Sequence, residues 1–328
     1  MSAVGTRGRF ESPPMLINLV PDFLAALSAR DPLAAYHRYL ETHRPVLRAY
    51  WRNYVLDLES PHADEVIGRV LAADRRDLHH LLSSRDVVRV AEETLRSCEA
   101  VFETDTPIDV YLMVGVGAAN AGELVVDGRG MAFVCLEHFT GRPNPDSFGL
   151  GLDPVLLPLW IAHEVAHAVR YTSPCSDAEL ARIVADAAGT YDYWESGSRA
   201  TLRELLVNEG LAVLAAEAVA PGFEPWDYLG YTRRQYRRLR ELDAFLRRAL
   251  IGELDQRGLG LRLRYLSGGM APAQRLVAGR VIPERAGYYL GRRLAEAAVE
   301  ERGIAEALRL SAESVTAFDE QAAGAQSA

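Results

Sequence analysis

The sequence predicts an α+β fold dominated by helices, with one small and mostly antiparallel sheet. Three observations predict it. Apolar residues recur at helical spacing through most of the chain. Strand-forming runs cluster between residues 109 and 136. Segments rich in glycine, proline and asparagine punctuate both kinds of pattern. With 49% hydrophobic and 25% charged residues, the composition is that of a globular protein, and 328 residues suffice for one large domain or two modest ones.

Residues 1–13 are polar, contain Gly and Pro, and are expected to form a loose arm. From Pro21 to about Phe102 the pattern is helical. Phe23, Leu24 and Leu27 share a face, as do Tyr36, Tyr39 and Leu40, and Val66, Val70 and Leu71. Asp31-Pro32 and Ser60-Pro61 read as helix starts, a capping residue followed by proline in the first turn. Past Asp109 the pattern changes. Val110–Val114 and Met131–Leu136 are strand-like runs, and Glu123–Val126 is a third inside the Gly/Ala/Asn segment between them. Residues 141–151 are loop. The remainder is mainly helical, over roughly 154–171, 201–219, 226–251 and 285–302, and the last residues form a tail rich in Ala, Gly, Gln and Ser.

Charge and residue usage exclude several functions. The net charge of −9 argues against general affinity for nucleic-acid phosphates. Arg233, Arg234, Arg237, Arg238 and Arg240 read as a solvated helix face. All 36 basic residues are arginine, so a lysine Schiff base and a P-loop phosphate grip are both excluded. Cys98, Cys135 and Cys175 lie too far apart for a zinc knuckle or a disulfide framework. The apolar run Met15–Val20 is too short for a signal-peptide core or a membrane span, and no later run is long enough. A cytoplasmic protein with no membrane and no nucleic-acid partner is expected. No sequence feature sets an oligomeric state.

The chemistry gathers on one predicted helix. Asp153-Pro154 opens it, with Pro158 in the next turn, and its apolar stripe carries His163 and His167 inward. Residues at i and i+4 face the same way one turn apart, so two imidazoles can share a metal ion. Glu164 projects beside that axis and is placed to take a proton from a metal-activated water. This is the H-E-x-x-H pattern. Two core histidines satisfied by hydrogen bonds are the bland alternative, but burying both without a partner is costly.

A zinc site needs a third protein ligand and an open position. The extended pattern that supplies a third histidine fails here, because its positions hold Arg170 and Ser173. A later stripe of Leu202, Leu206, Val213 and Ala216 contains Glu209, a buried carboxylate that needs a counter-charge. Zinc is one such charge and an arginine another. Gly210 beside it lets two helices approach closely. Glu204 and Glu217 lie off the stripe.

His163-Glu164-Val165-Ala166-His167 followed by Asn208-Glu209-Gly210-Leu211-Ala212 resembles the gluzincin group of zinc metallopeptidases. More narrowly, the chain resembles a family of predicted zinc-dependent proteases with a DUF2268-type domain, which also carries a stretch like Gly287-Tyr288-Tyr289-Leu290-Gly291. The likeness runs over roughly residues 105–305. It implies a zincin-like fold, one Zn2+ per chain and a peptide or other amide-containing substrate. It also implies a sheet edge that accepts an extended peptide, with Met131–Leu136 as the candidate edge. Tyr288 or Tyr289 would donate to the oxyanion, and His138 and Arg285 are further candidates for contacts to substrate or transition state. One feature departs from the thermolysin-like branch. The Ser-Asp pair that supports the first histidine there is absent, since Ala212-Val213-Leu214 occupies the region, and Asp186 or Asp192 is the candidate replacement.

The expected organisation is therefore a helical N-terminal region, 1–105, as a candidate cover of the active site, a catalytic region, 106–310, and a flexible tail, 311–328. The expected activity is zinc-dependent amide hydrolysis with His163, His167 and Glu209 as ligands and Glu164 as general base. Two alternatives stand beside it. One is a zincin-like metal binder without turnover, for which an intact Glu164 has no use. The other is a di-iron carboxylate oxidase, which needs a second Glu-x-x-His pair. Glu59-Ser60-Pro61-His62 supplies the letters, but Pro61 marks a helix start.

Overall fold

The computed structural model describes residues 13–267, 275–277 and 279–317. Strand β1 (Leu16–Asn18) leads into six helices: α1 (Val20–Leu27), α2 (Pro32–Thr42), α3 (Arg44–Tyr54), α4 (Ala63–Ala72), α5 (Arg76–Ser84) and α6 (Val87–Phe102). Strands β2 (Ile108–Met113), β3 (Ala121–Val126) and β4 (Arg129–Cys135) follow. Helices α7 (Leu157–Thr172), α8 (Glu179–Asp186), α9 (Tyr193–Arg199), α10 (Leu202–Val219), α11 (Pro225–Tyr228), α12 (Arg233–Ile251) and α13 (Leu259–Leu266) come next. A small hairpin, β5 (Leu276–Val277) and β6 (Arg280–Val281), precedes α14 (Ala286–Arg302) and α15 (Ile304–Ala307). The fold is thus α+β and helix-dominated. No helix among the described residues is long and apolar enough to cross a membrane.

Local chemistry accounts for several boundaries. The Asp31 carboxylate accepts the Ala34 N–H at 3.1 Å and caps α2. Asp153 accepts the Val155 N–H, and Pro154–Leu156 form one 3-10 turn before α7 begins. Pro158 therefore falls in the first turn of α7, where its missing N–H costs little. The helix predicted from Pro61 starts at Ala63 instead, and Ser60 closes a turn onto the His62 N–H. The single helix predicted over 226–251 is two, separated at Gly230, whose φ of 62° ends the first.

The main sheet has the order β1-β2-β4-β3 and is mixed, which corrects the largely antiparallel sheet expected. β2 runs parallel to both β1 and β4, with Ile108 opposite Gly130 and Met113 opposite Cys135. Only β3 and β4 pair antiparallel, through the Asp127-Gly128 turn, where both residues have positive φ. That turn puts β3 outside β4 and returns β4 alongside β2. Met131–Leu136 is consequently interior, and the edges are β1 and β3, of which β3 lies in the Gly/Ala/Asn segment. The edge strand expected at Met131–Leu136 is thereby corrected to Ala121–Val126.

Helix α7 lies under β2, β3 and β4, and α10 packs between α7 and α14. The approach of α10 to α14 needs two glycines, because a Cβ on Gly210 would overlap the Gly291 backbone and one on Gly291 would overlap the Leu206 carbonyl. One apolar core runs from Leu19 and Phe23 through Trp51, Phe133 and Leu206 to Val315, so the N-terminal helices share it. Ala312, Val315 and Thr316 are buried, and Arg203 donates to the Thr316 hydroxyl at 2.7 Å. The expected tail is therefore packed as far as residue 317, and its remainder lies outside the described residues, as do residues 1–12 of the expected arm.

Candidate active site

Helix α7 presents His163 and His167 one turn apart, with ring centroids 4.8 Å apart and nearly perpendicular. Glu209 on α10 faces both. Its Oε2 lies 3.3 Å from His163 Nε2 and 3.5 Å from His167 Nε2. All three side chains are buried, and their ligand atoms lie within 4.8 Å of one another, the one such group among the described residues.

The donor set fits zinc. Bonds of roughly 2.0–2.1 Å in tetrahedral geometry separate neighbouring ligand atoms by about 3.3 Å. The observed separations match that spacing better than the ~2.7–2.9 Å of a charge-assisted hydrogen bond. The electrostatics agree. Burial would raise the Glu209 carboxyl, yet the two imidazoles hold it well below the usual carboxylate range. Burial opposes charge on His167, but Glu209 overrides it and raises that imidazole. His163 is pushed down, by burial first and by its charged neighbour His167. Positive charge is favoured at the point where the three side chains converge.

Tyrosines brace the imidazole rings. Tyr288 stacks on His163 with centroids 6.1 Å apart, and Tyr171 stacks on His167 at 6.0 Å. The Tyr171 hydroxyl donates to Glu123 Oε1 and accepts from Asn208 Nδ2. Tyr54 donates to the other Glu123 oxygen at 3.0 Å. The carboxylate support expected from Asp186 or Asp192 is absent. Asp186 pairs with Arg199, while Asp192 caps α9 and pairs with Arg52. His167 Nδ1 has no protein partner among the described residues.

His163, His167 and Glu209 open onto a cavity of about 470 Å³ that Glu164, Tyr288, Arg285 and Arg262 also line. Burial pushes the Glu164 carboxyl well above its usual range, and Glu123 and Glu209 add to this while His167 opposes it. A raised carboxyl suits a group that must accept a proton and then release it. The edge strand enters the wall through Ala121, Gly122 and Glu123, and the N-terminal region enters through Asn53 and Tyr54.

The two predicted tyrosines separate. Tyr288 faces the cavity, whereas Tyr289 points away and donates to Asp243 on α12 at 3.0 Å. The two further candidates also separate. Arg285 lines the cavity, and His138 is buried elsewhere, with Nδ1 accepting the Leu150 N–H. Glu204 is no ligand either, because it holds Arg170 in a fully buried ion pair. The second Glu-x-x-His pair of the di-iron alternative is not assembled. Glu59 meets Arg48, and the exposed His62 meets Glu65.

Sequence reasoning missed Tyr171, Asn208, Glu123, Arg262, Trp160 and Asn120. A signal existed for the first, since Tyr171 continues the i, i+4 stripe of His163 and His167. Asn208 had only its place beside Glu209. Arg262 had none.

No curated protein and no solved structure matches the chain. Residues 190–317 match the model of a family described as "Predicted Zn-dependent protease (DUF2268)", a stretch that holds Glu209, Arg285 and Tyr288 and begins after His163 and His167. Over that stretch the chain matches the family its motifs resemble, and the fold brings His163 and His167, which lie before the matched stretch, beside Glu209 within it.

Proposed function

We propose that the protein is a zinc metallopeptidase of zincin type that hydrolyses an amide bond, with one Zn2+ held by His163, His167 and Glu209. The convergence of these side chains on one cavity with Glu164 carries the reading. When bound, the ion would supply Lewis acidity, lowering the pKa of a water and polarising the scissile carbonyl. The protein's own residues do the rest. Glu164 takes the proton from the attacking water and delivers it to the leaving nitrogen, so that it ends the cycle as it began. The Tyr288 hydroxyl donates to the carbonyl oxygen as negative charge develops there. The edge strand β3 takes the substrate backbone in extended form beside the cavity. Its approach runs along the Ala121 end of the strand, because the Val125 carbonyl is already bonded to the Tyr191 N–H and the Glu123 carbonyl accepts from the Tyr54 hydroxyl. Free thiols at Cys98, Cys135 and Cys175 suit a reducing, cytoplasmic setting.

Elemental analysis of the purified protein beside two variants tests this. Wild type should carry near one zinc, and Glu209→Ala should lose most of it. Glu164→Gln should keep the metal and lose about 10²–10⁴ in the rate of peptide hydrolysis. Full zinc retention in Glu209→Ala, or unchanged turnover in Glu164→Gln, would refute the assignment. Glu164→Gln also tests the non-catalytic binder, which would lose nothing.

A further inference from the structure

The cavity beside the three ligands holds two arginines that the protein leaves without a counter-ion at close range. Arg262, on α13, is 5% exposed. It donates to the Tyr193 carbonyl and the Tyr191 hydroxyl, and its guanidinium lies 3.5 Å from the centre of the Tyr193 ring. Its Nε–H is buried with no partner. Arg285 is half-buried just before α14. Its guanidinium donates a long hydrogen bond, 3.4 Å, to the Gly230 carbonyl. Neither forms an ion pair with a carboxylate among the described residues. Burying guanidinium charge on such terms is unfavourable unless an anion arrives to meet it.

Three features make this a ligand's place. First, Arg285 is held in position. Its backbone adopts the left-handed region, φ 55° and ψ 23°, which a residue with a Cβ rarely enters. Its carbonyl accepts from the Tyr231 hydroxyl. Its guanidinium lies 4.3 Å from the Tyr288 ring centre, and Tyr288 lies 6.1 Å from His163, so the charge is at most about 10 Å from that imidazole. Second, the lining offers further donors without acceptors, the buried Trp160 Nε1–H and Asn120 Nδ2–H. Third, the nearby carboxylates are engaged. Glu209 faces the imidazoles, and both oxygens of Glu123 accept from tyrosine hydroxyls. With a divalent ion in place, the two arginines and the ion exceed the charge of Glu123, Glu164 and Glu209 by one.

We propose that Arg285, with Arg262 behind it, receives a carboxylate of the substrate, so that the preferred peptide carries a free carboxylate within one or two residues of the scissile amide. This rests on the cavity being the hydrolytic site proposed above. The planar fork of a guanidinium matches a carboxylate with two parallel hydrogen bonds. A peptide residue spans about 3.3–3.6 Å, which sets the one- or two-residue reach. The carboxylate is either the peptide's C-terminus or an Asp or Glu side chain.

Three N-acetylated tetrapeptides of one backbone sequence distinguish the sources. One has a free C-terminus, one is the C-terminal amide, and one is the amide with Asp at the third position. Calorimetry on zinc-loaded Glu164→Gln protein measures binding without turnover, and kcat/KM is measured on the wild type. At least one acidic peptide should bind roughly tenfold or more tighter than the neutral amide. A preference for the free terminus would mark an exopeptidase, and a preference for Asp an acidic endopeptidase. Arg285→Gly keeps the left-handed backbone without strain and should erase the preference, chiefly through KM, so that acidic and neutral peptides come within about threefold of one another. Arg285→Lys should restore part of it, and Arg262→Gln should weaken it separately. Equal binding of all three peptides, no binding of any, or an equal loss for all three in Arg285→Gly would overturn the proposal. Carboxylate-dependent binding with no cleavage would sustain it and overturn the hydrolase reading alone.

Discussion

The close approach of α10 and α14 separates two properties that a single mutation can test. Gly210 follows the proposed ligand Glu209, and a methyl there would overlap the Gly291 carbonyl group and sit 2.5 Å from Arg292 N. Ordinary contact begins near 3.5 Å, so α14 must withdraw by about 1 Å or more. The obstacles are backbone atoms of a packed helix, and no side-chain rotation relieves them. Overpacking of this kind costs about 1–3 kcal/mol, and alanine's better helix propensity returns up to ~1 kcal/mol. Gly210→Ala should therefore be destabilised by about 1–2 kcal/mol. The ligands sit on α7 and α10, while Tyr288 and Arg285 belong to the α14 side. The shift should leave zinc content intact and move Tyr288 off the reacting carbonyl, where a ~1 Å error can cost about 10²-fold in rate. Urea unfolding, elemental analysis and peptide hydrolysis on one preparation read all three quantities. Wild-type stability and rate would refute the packing argument. Loss of zinc in a folded variant would refute the claim that α7 and α10 hold the metal without α14.

The remaining predictions concern single side chains. Tyr288→Phe should lower kcat about 10²–10³-fold, the usual cost of one oxyanion donor, whereas Tyr289→Phe, whose hydroxyl meets Asp243, should leave the rate unchanged; equal effects in the two would remove Tyr288 from the mechanism. Glu204→Gln leaves Arg170 buried and uncompensated, at a cost of about 3–5 kcal/mol, and a urea midpoint like wild type would contradict that. Glu137 is buried beside Cys135, His138 and Arg75, and burial above all raises its carboxyl from 4.5 to about 7. The folded state then holds the proton more tightly than the unfolded chain, so stability is greatest below about pH 4.5 and falls as pH rises to about 7. The loss amounts to roughly 3 kcal/mol. Urea unfolding at pH 5 and pH 8 should show Glu137→Gln free of that part of the decline, and parallel declines would refute it.

What could be read in the sequence follows the range of the interactions. His163, Glu164 and His167 are neighbours along one helix, so spacing alone aligns them. Glu209 announced itself as a carboxylate inside an apolar stripe, and Gly210 as a point of close approach, though its partner Gly291 lies far along the chain. Sheet order depended on pairings between distant segments. One local clue bore on it: the unbroken apolar run of Met131–Leu136 suits a strand buried on both faces, and Glu123 within Ala121–Val126 suits an edge. The Asp127-Gly128 pair marked the hairpin between them.

Arg262 carries no comparable mark, and Arg285 stood out only through the family resemblance. Each is a lone arginine in a chain of many, and its meaning depends on helices that reach the cavity from elsewhere in the sequence. That asymmetry has a functional consequence. The ligands and Glu164 are fixed by α7 and α10, whose contact is buried and whose charges are mutually satisfied. The proposed anion-binding groups come from α13 and the start of α14, and they leave donors unmet. Substitution at Arg262 or Arg285 should therefore change which peptides enter the site while leaving the capacity to hold zinc untouched. Zinc content measured in Arg262→Gln and Arg285→Gly tests that independence directly. A parallel loss of metal and acidic-peptide preference would mean that the two sets of groups form one electrostatic unit, with the arginines needed to organise the ligands as well as the substrate.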